Sequence, residues 1–101
     1  MNEPAQLVFD GDRMRVCGVV DFATVVDLEQ LGEKWLREQA PPVCRLDLGG
    51  VSRSNSAGTA LLLSWLRTAR VLGKDLSIEN VPVTLRKMML LAGLEDVLSA
   101  A

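Results

Sequence analysis

In this 101-residue chain, a segment between a hydrophobic strand and a helix holds the residues whose types and spacing favour chemistry. Asn55 and Ser56 occupy that junction, after the strand that ends near Leu48 and before an apolar run that includes Leu61. The backbone N–H groups of a helix's first turn have no intrahelical partners and carry the positive end of the helix dipole. The junction is therefore suited to a capping side chain, an anion or a phosphate, and function is sought here first.

Other catalytic groups are missing from the sequence. The chain has no His, which excludes Ser-His-Asp and Cys-His nucleophile pairs and H-E-x-x-H zinc sites. It contains neither a G-x-x-x-x-G-K-[ST] phosphate loop nor a G-x-G-x-x-G segment. Asp10, Asp12, Asp21 and Asp47 fall at turn, cap and strand positions, with no sign that two carboxylates share a site. We predict no enzyme activity, no catalytic residue, no metal site and no cofactor.

Composition and charge indicate a single globular domain over residues 1–101 whose partner is another protein. The chain is 49% hydrophobic and 24% charged, with a net charge of -2 and no basic block. Capture of nucleic acid or of an anionic membrane is therefore not expected. The first residues lack the features of a secretory signal, and the longest apolar run is too short to span a membrane. We expect a cytoplasmic protein that reaches the membrane only through another subunit.

The two cysteines, Cys17 and Cys44, both lie in hydrophobic strand-like segments. In a cytoplasmic protein, thiols in such segments are usually small buried hydrophobes. We expect that role for both residues, and a disulfide between them is the alternative.

Periodicity and turn residues indicate an α/β fold with a mostly parallel sheet of four to five strands, an N-terminal antiparallel hairpin and about three helices. Strands are predicted over residues 7–9, 14–17, 43–48 and 76–79, and helices over residues 22–39, 56–72 and 83–92. Asp21 is predicted to cap the first helix, and Gly73 and Gly93 to end the second and third. The first helix is predicted to bury Val25, Leu28, Leu31, Trp35 and Leu36. A short tail with Leu94, Val97 and Leu98 follows.

Three motifs resemble those of the STAS domain family, and the resemblance extends over nearly the whole chain. Residues 18–21 (GVVD) resemble the family's G-x-x-D entry to the first helix, and residues 46–51 (LDLGGV) resemble its D-L-x-x-V strand. Residues 55–58 (NSAG) are similar to its D-S/T-x-G motif. The resemblance implies that Ser56 is a candidate phosphoacceptor. Asn55 replaces the usual Asp, which preserves helix capping but removes a charge beside Ser56.

Residues 51–53 and 60–63, together with Ala69 and Gly73, resemble one branch of this family. Its members are STAS subunits of ABC-type phospholipid-transport complexes in Gram-negative bacteria. The resemblance implies that the partner is the ATPase subunit, in a complex with a permease and a lipid-binding protein that maintains outer-membrane lipid asymmetry. The alternative function is that of an anti-sigma factor antagonist controlled by phosphorylation of Ser56.

The periodicity of the second helix predicts which of its sides meets the partner. At 100° per residue one stripe is buried, made of Leu61, Leu62, Trp65, Leu66, Ala69 and Leu72. A second stripe holds Ser56, Thr59, Ala60, Leu63 and Arg67, with Arg70 close by. An exposed Leu63 among small and hydroxyl residues favours protein docking, although a solitary surface Leu is the simpler interpretation. Arg53 and Ser54 are expected at the edge of this interface.

Overall fold

The computed structural model describes residues 5–94, which form four strands and three helices in the order β-β-α-β-α-β-α. The elements are β1 (Gln6–Asp10), β2 (Arg13–Val20), α1 (Val25–Glu38), β3 (Val43–Ser54), α2 (Ala57–Val71), β4 (Asp75–Glu79) and α3 (Val83–Leu91). The predicted tail residues Val97 and Leu98 lie outside the described residues. No helix within residues 5–94 has the length and apolar character needed to cross a membrane.

The four strands form one sheet in the order β1-β2-β3-β4. The β1–β2 hairpin is antiparallel, with Phe9 opposite Met14, and Gly11 in its turn has a φ of 61°. The β2–β3 and β3–β4 pairs are parallel, which aligns Met14, Leu46 and Ile78 across the sheet. The predicted α/β class, opening hairpin and parallel sheet are confirmed.

The helices cover one face of the sheet, because alternate strand residues point into a single aliphatic core. Its central strand members are Met14, Val16, Cys44, Leu46 and Ile78, and they pack with Leu28, Leu36, Leu61, Trp65, Leu85 and Met89 of the helices. The opposite face carries charged side chains. Ion pairs join Asp12 to Arg45, Arg45 to Glu79 and Glu79 to Arg13, at 3.1, 3.6 and 3.5 Å, across the inner strands and β4.

The contact between α1 and α2 depends on one glycine. Gly32 faces the indole of the fully buried Trp65, and a Cβ at position 32 would overlap the indole ring. Trp65 Nε1 donates a hydrogen bond of 3.1 Å to the backbone carbonyl of Glu29, one turn earlier in α1. The indole is thereby fixed both in position and in orientation against α1.

Lys74 closes the carboxyl end of α1. Its Nζ donates hydrogen bonds to the backbone carbonyls of Leu36 (2.5 Å) and Ala40 (2.6 Å). Carbonyls at the end of a helix lack intrahelical donors and carry the negative end of the helix dipole, so an ammonium group is well matched to them. Gly73, with a φ of 70°, ends α2 as predicted and directs Lys74 toward α1.

The predicted first helix is wrong at its start and at one core position. It begins at Val25 rather than at residue 22, because Asp21 Oδ1 accepts hydrogen bonds from the N–H groups of Ala23 and Thr24 and holds a turn before the helix. Leu31, predicted to be buried, is 51% exposed. By helical winding it lies at the border of the buried side, which Leu28, Gly32, Trp35 and Leu36 form.

The second and third strands are longer than predicted. The third continues from residue 48 to Ser54, because it pairs with the second as far as Val20. Gly49 and Gly50, which follow the predicted end of the strand, lie within it. A Cβ at Gly50 would lie 2.7 Å from Cys17 Sγ and 2.8 Å from the Val16 carbonyl oxygen, so the close approach of the strands requires glycine.

The cysteines are free thiols in this structure rather than a disulfide. Cys44 is buried as predicted, and burial raises the pKa of its thiol. Cys17 is only half-buried, since it points to the uncovered face of the sheet.

Asp47 joins β3 to the turn after β4. Its Oδ1 accepts hydrogen bonds from Gly49 N (2.8 Å) and from Asn80 Nδ2 (3.0 Å), and Asn80 adopts a left-handed φ of 56°. Burial acts to raise the pKa of Asp47. Hydrogen bonds from Asn80 and Gly49, with the positive charges of Arg15 and Arg13, outweigh burial, so the pKa lies below its usual value.

Replacing Gly32 by Ala should destabilise the fold, although Ala is favoured over Gly in a helix by about 1 kcal/mol. The added methyl group would overlap the Trp65 indole, and overpacking of this kind costs about 1–3 kcal/mol. Urea unfolding measures the change. Gly32→Ala should lower the free energy of unfolding by less in a Trp65→Phe background than in the parent protein. Equal losses in the two backgrounds would show that the indole contact is not the cause.

Asp47→Asn should reduce the acid dependence of stability. A carboxyl whose pKa is lower in the folded than in the unfolded state stabilises the fold above the unfolded pKa of about 3.9, and this contribution is lost as pH falls through the folded pKa. The variant should be less stable at about pH 7 and should lose less stability than the parent between about pH 5 and about pH 3. Asp10→Asn, at an exposed position of β1, controls for net charge. An unchanged acid slope in Asp47→Asn would refute this assignment.

Candidate functional site

The start of α2 is held in place by Asn55. Its Oδ1 accepts a hydrogen bond of 2.8 Å from Ala57 N, and its own N–H donates to the Val20 carbonyl at the end of β2 (3.2 Å). Ser56 is the N-cap residue, yet its hydroxyl makes no capping hydrogen bond. The side chain of Ser56 is exposed. The capping role therefore belongs to Asn55, and the Ser56 hydroxyl faces solvent.

Gly58 explains the last position of the N-S-A-G motif. A Cβ at this position would overlap the Ser54 hydroxyl and would lie 3.3 Å from Leu85 Cδ1. The first turn of α2 therefore packs directly on the end of β3 and on α3. This packing brings α3 alongside the α2 stripe that was predicted to meet a partner.

The two helices enclose a shallow apolar groove of about 520 Å³. It is lined by Ser56, Thr59, Ala60 and Leu63 of α2 and by Met88, Leu91 and Ala92 at the end of α3. We call this feature the α2–α3 groove. The structure thus brings together four of the residues that the sequence predicted on one stripe.

Leu63 differs from its prediction as an exposed residue. It is half-buried, because α3 shelters one side of it. Leu91, on the other wall of the groove, is 89% exposed. Thr59 Oγ1 is buried and has no hydrogen-bond partner among the described residues. The wall of the groove at Leu91 is therefore apolar and open to solvent.

The remaining predicted residues lie outside the groove. Arg53 and Ser54 line a separate depression of about 410 Å³ on the other side of Asn55, together with the end of β2 and the turn before α1. Arg67 is exposed, one turn beyond Leu63 on the same side of α2. The predicted set is thus split between two neighbouring surfaces.

Sequence reasoning missed the α3 wall of the groove. The signal was present in the run Met88–Leu91, which places four apolar residues in one turn of a nine-residue helix. Only Met89 of this run is fully buried. A helix with one buried side cannot cover four consecutive apolar residues, so some of them had to face a groove or solvent.

Within residues 5–94, no three His, Cys, Asp or Glu side chains are grouped closely enough to hold a metal ion.

Comparison with solved structures gives similar folds among anti-sigma factor antagonists. The antagonist SpoIIAA in its unphosphorylated form has a TM-score of 0.72 at 20% identity, with 92% of this chain and 84% of that chain covered. The phosphorylated form of SpoIIAA, the Bacillus cell fate determinant, has a TM-score of 0.67 at 18% identity, with 92% and 86% covered. An antagonist from Mycobacterium paratuberculosis has a TM-score of 0.64 at 21% identity, with 92% and 80% covered. These likenesses establish the fold.

No curated protein matches the chain. A protein-family model does match, and it covers residues 5–99. That model is described as Mlab, STAS domain. Because the match extends over nearly the entire chain and agrees with the observed fold, this protein belongs to the STAS domain family.

Proposed function

We propose that this protein is a non-catalytic subunit that binds the ATPase subunit of an ABC-type phospholipid transporter and stabilises or regulates it. The α2–α3 groove is the observation that carries the proposal, because it offers a concave apolar surface beside the STAS motif. The match to the Mlab family model supports the choice of partner. The complex would contain a permease and a lipid-binding protein and would maintain outer-membrane lipid asymmetry.

The proposed mechanism is docking rather than catalysis. Ser56, Thr59, Ala60 and Leu63 would contact the ATPase, with Leu91 as an anchor on the opposite wall. An apolar anchor in a central pocket gives most of the binding energy of an interface, and surrounding small residues allow close approach. If the ATPase binds more tightly in one of its states, docking shifts the population toward that state.

We further propose that the protein resides in the cytoplasm, at the inner face of the inner membrane, and is held there by its complex. ATP and lipid would be bound by other subunits.

A second candidate function is that of an anti-sigma factor antagonist, favoured by the exposed hydroxyl of Ser56 at the start of α2. Phosphorylation there would add a charge of about -1.5 to -2 beside the helix dipole and beside the apolar groove. Asn55 lacks the negative charge that the family motif usually has at this position. Pull-down from the native host followed by mass spectrometry distinguishes the two functions, because one predicts a transporter ATPase and the other a switch kinase.

Leu63→Asp should release the ATPase subunit while the domain remains folded, because a carboxylate in the groove would be desolvated on docking. Co-purification of the tagged protein with a co-expressed Mla-type ATPase subunit measures the effect, and circular dichroism checks the fold. Val26→Asp is the control, since Val26 is an exposed aliphatic residue of α1 and lies outside the groove lining. Equal retention of the ATPase by Leu63→Asp and Val26→Asp would contradict the proposed face.

Ser56→Arg and Leu91→Asp test the two walls of the groove separately. Both residues are exposed, so neither change should alter the urea midpoint by more than a small amount. Each should reduce co-purification of the ATPase, because Arg would block the entrance at α2 and Asp would charge the wall at α3. If Ser56→Arg releases the ATPase and Leu91→Asp does not, the interface excludes α3.

A further inference from the structure

The two helices that form the groove are uniformly cationic. Their charged residues are Arg67 and Arg70 in α2 and Arg86 and Lys87 in α3, and neither helix contains a carboxylate. The whole chain, by contrast, has 13 acidic residues and a net charge of -2. Helix α1 carries four of those acidic residues, Asp27, Glu29, Glu33 and Glu38. Helices α2 and α3 therefore carry a net positive charge within a protein whose overall charge is negative.

By helical winding, three of the four cations lie on the side of their helix that lines the groove, although outside the lining itself. Arg67 follows Leu63 by four residues and Arg70 follows it by seven, so both lie on the groove side of α2. Lys87 precedes Leu91 by four residues and lies beside it on α3. All three are exposed, and none of them forms an ion pair with a carboxylate within residues 5–94.

The fourth cation, Arg86, lies on a different side of α3. At 100° per residue it is about 160° around the helix axis from Met88, which lines the groove. Arg86 is exposed like Lys87 and is its neighbour in the sequence. The chain therefore contains a matched pair of cations, one beside the groove and one away from it.

We infer that the partner segment in the α2–α3 groove is an amphipathic helix whose apolar side is flanked by carboxylates. Its apolar residues would contact Leu63 and Leu91, and its carboxylates would pair with Arg67, Arg70 and Lys87. Helix-in-groove recognition uses anchors at i, i+3, i+4 and i+7, which suits a shallow channel between two helices. The inference rests on the proposed docking function and adds the chemistry of the segment that docks.

The same features disfavour a second copy of the chain and a membrane as occupants. A symmetric dimer through the groove would bring two sets of cations together, and like charges across an interface cost several kcal/mol. A bilayer is met by apolar side chains that protrude from a helix surface. Here only Leu91 is strongly exposed, and the other apolar residues line a concavity of about 520 Å³, which accepts the ridge of another helix.

Two synthetic peptides of about 18 residues test the inference directly. Both have the same leucines at helical spacing, and their polar flanks are Glu in one and Lys in the other. Fluorescence anisotropy measures binding to the full chain, to Arg67→Glu/Lys87→Glu and to the control Arg67→Glu/Arg86→Glu. The Glu peptide should bind in preference to the Lys peptide, and its affinity should fall by about tenfold between about 50 mM and about 300 mM NaCl.

Arg67→Glu/Lys87→Glu, the groove variant, should bind the Glu peptide about ten times more weakly than the control Arg67→Glu/Arg86→Glu, which retains Lys87. Equal binding of the two peptides, no binding of either, or equal losses in the two variants would overturn the inference. The inference would also be overturned, in favour of a lipid surface, by two results together. The parent protein would bind phosphatidylglycerol vesicles that the groove variant does not bind, and it would bind the two peptides equally well. Retention of the co-expressed ATPase tests the proposed function separately. If the ATPase is not retained while the peptides bind as expected, the transporter assignment is wrong and the inference about an acidic amphipathic helix still stands.

Discussion

The contact between the Trp65 indole and Gly32 determines how α2 lies on the rest of the molecule. A fully buried indole cannot be moved by a few tenths of an ångström without disturbing several neighbours, because protein interiors are close-packed. Its hydrogen bond to the Glu29 carbonyl also fixes the rotation of the ring. Once this side of α2 is directed toward α1, the opposite side, with Ser56 and Leu63, has to face α3 and solvent.

Most of the fold could be predicted from the sequence because its signals are local. Turn residues mark the hairpin, and helical periodicity identifies Leu61, Leu62, Trp65 and Ala69 as the buried side of α2. The errors arise where tertiary pairing overrides local pattern. The third strand is predicted to end at residue 48, yet its pairing with β2 continues from Gly50 to Ser54. Such effects depend on a neighbouring strand that periodicity does not reveal.

The site could be predicted only in part, for the same physical reason. The α2 wall follows from the winding of one helix, so the sequence alone is enough to group Ser56, Thr59, Ala60 and Leu63. The α3 wall requires the packing of Leu85 against Gly58, which is a long-range contact. The same contact shelters Leu63, and the winding of α2 alone therefore overestimates its exposure. Arg53 and Ser54 are near in sequence but face the other side of Asn55.

The charged face of the sheet has a consequence for the behaviour of this protein at high concentration. Only one face of the sheet is covered by helices, and a bare apolar sheet would stack on others and aggregate. The ion pairs among Asp12, Arg45, Glu79 and Arg13 keep that face hydrated, because removing them from water in a stacked pair would require desolvation of several charges. A single layer of helices therefore covers the apolar side of the sheet, and self-association through the other side is disfavoured by its charged surface.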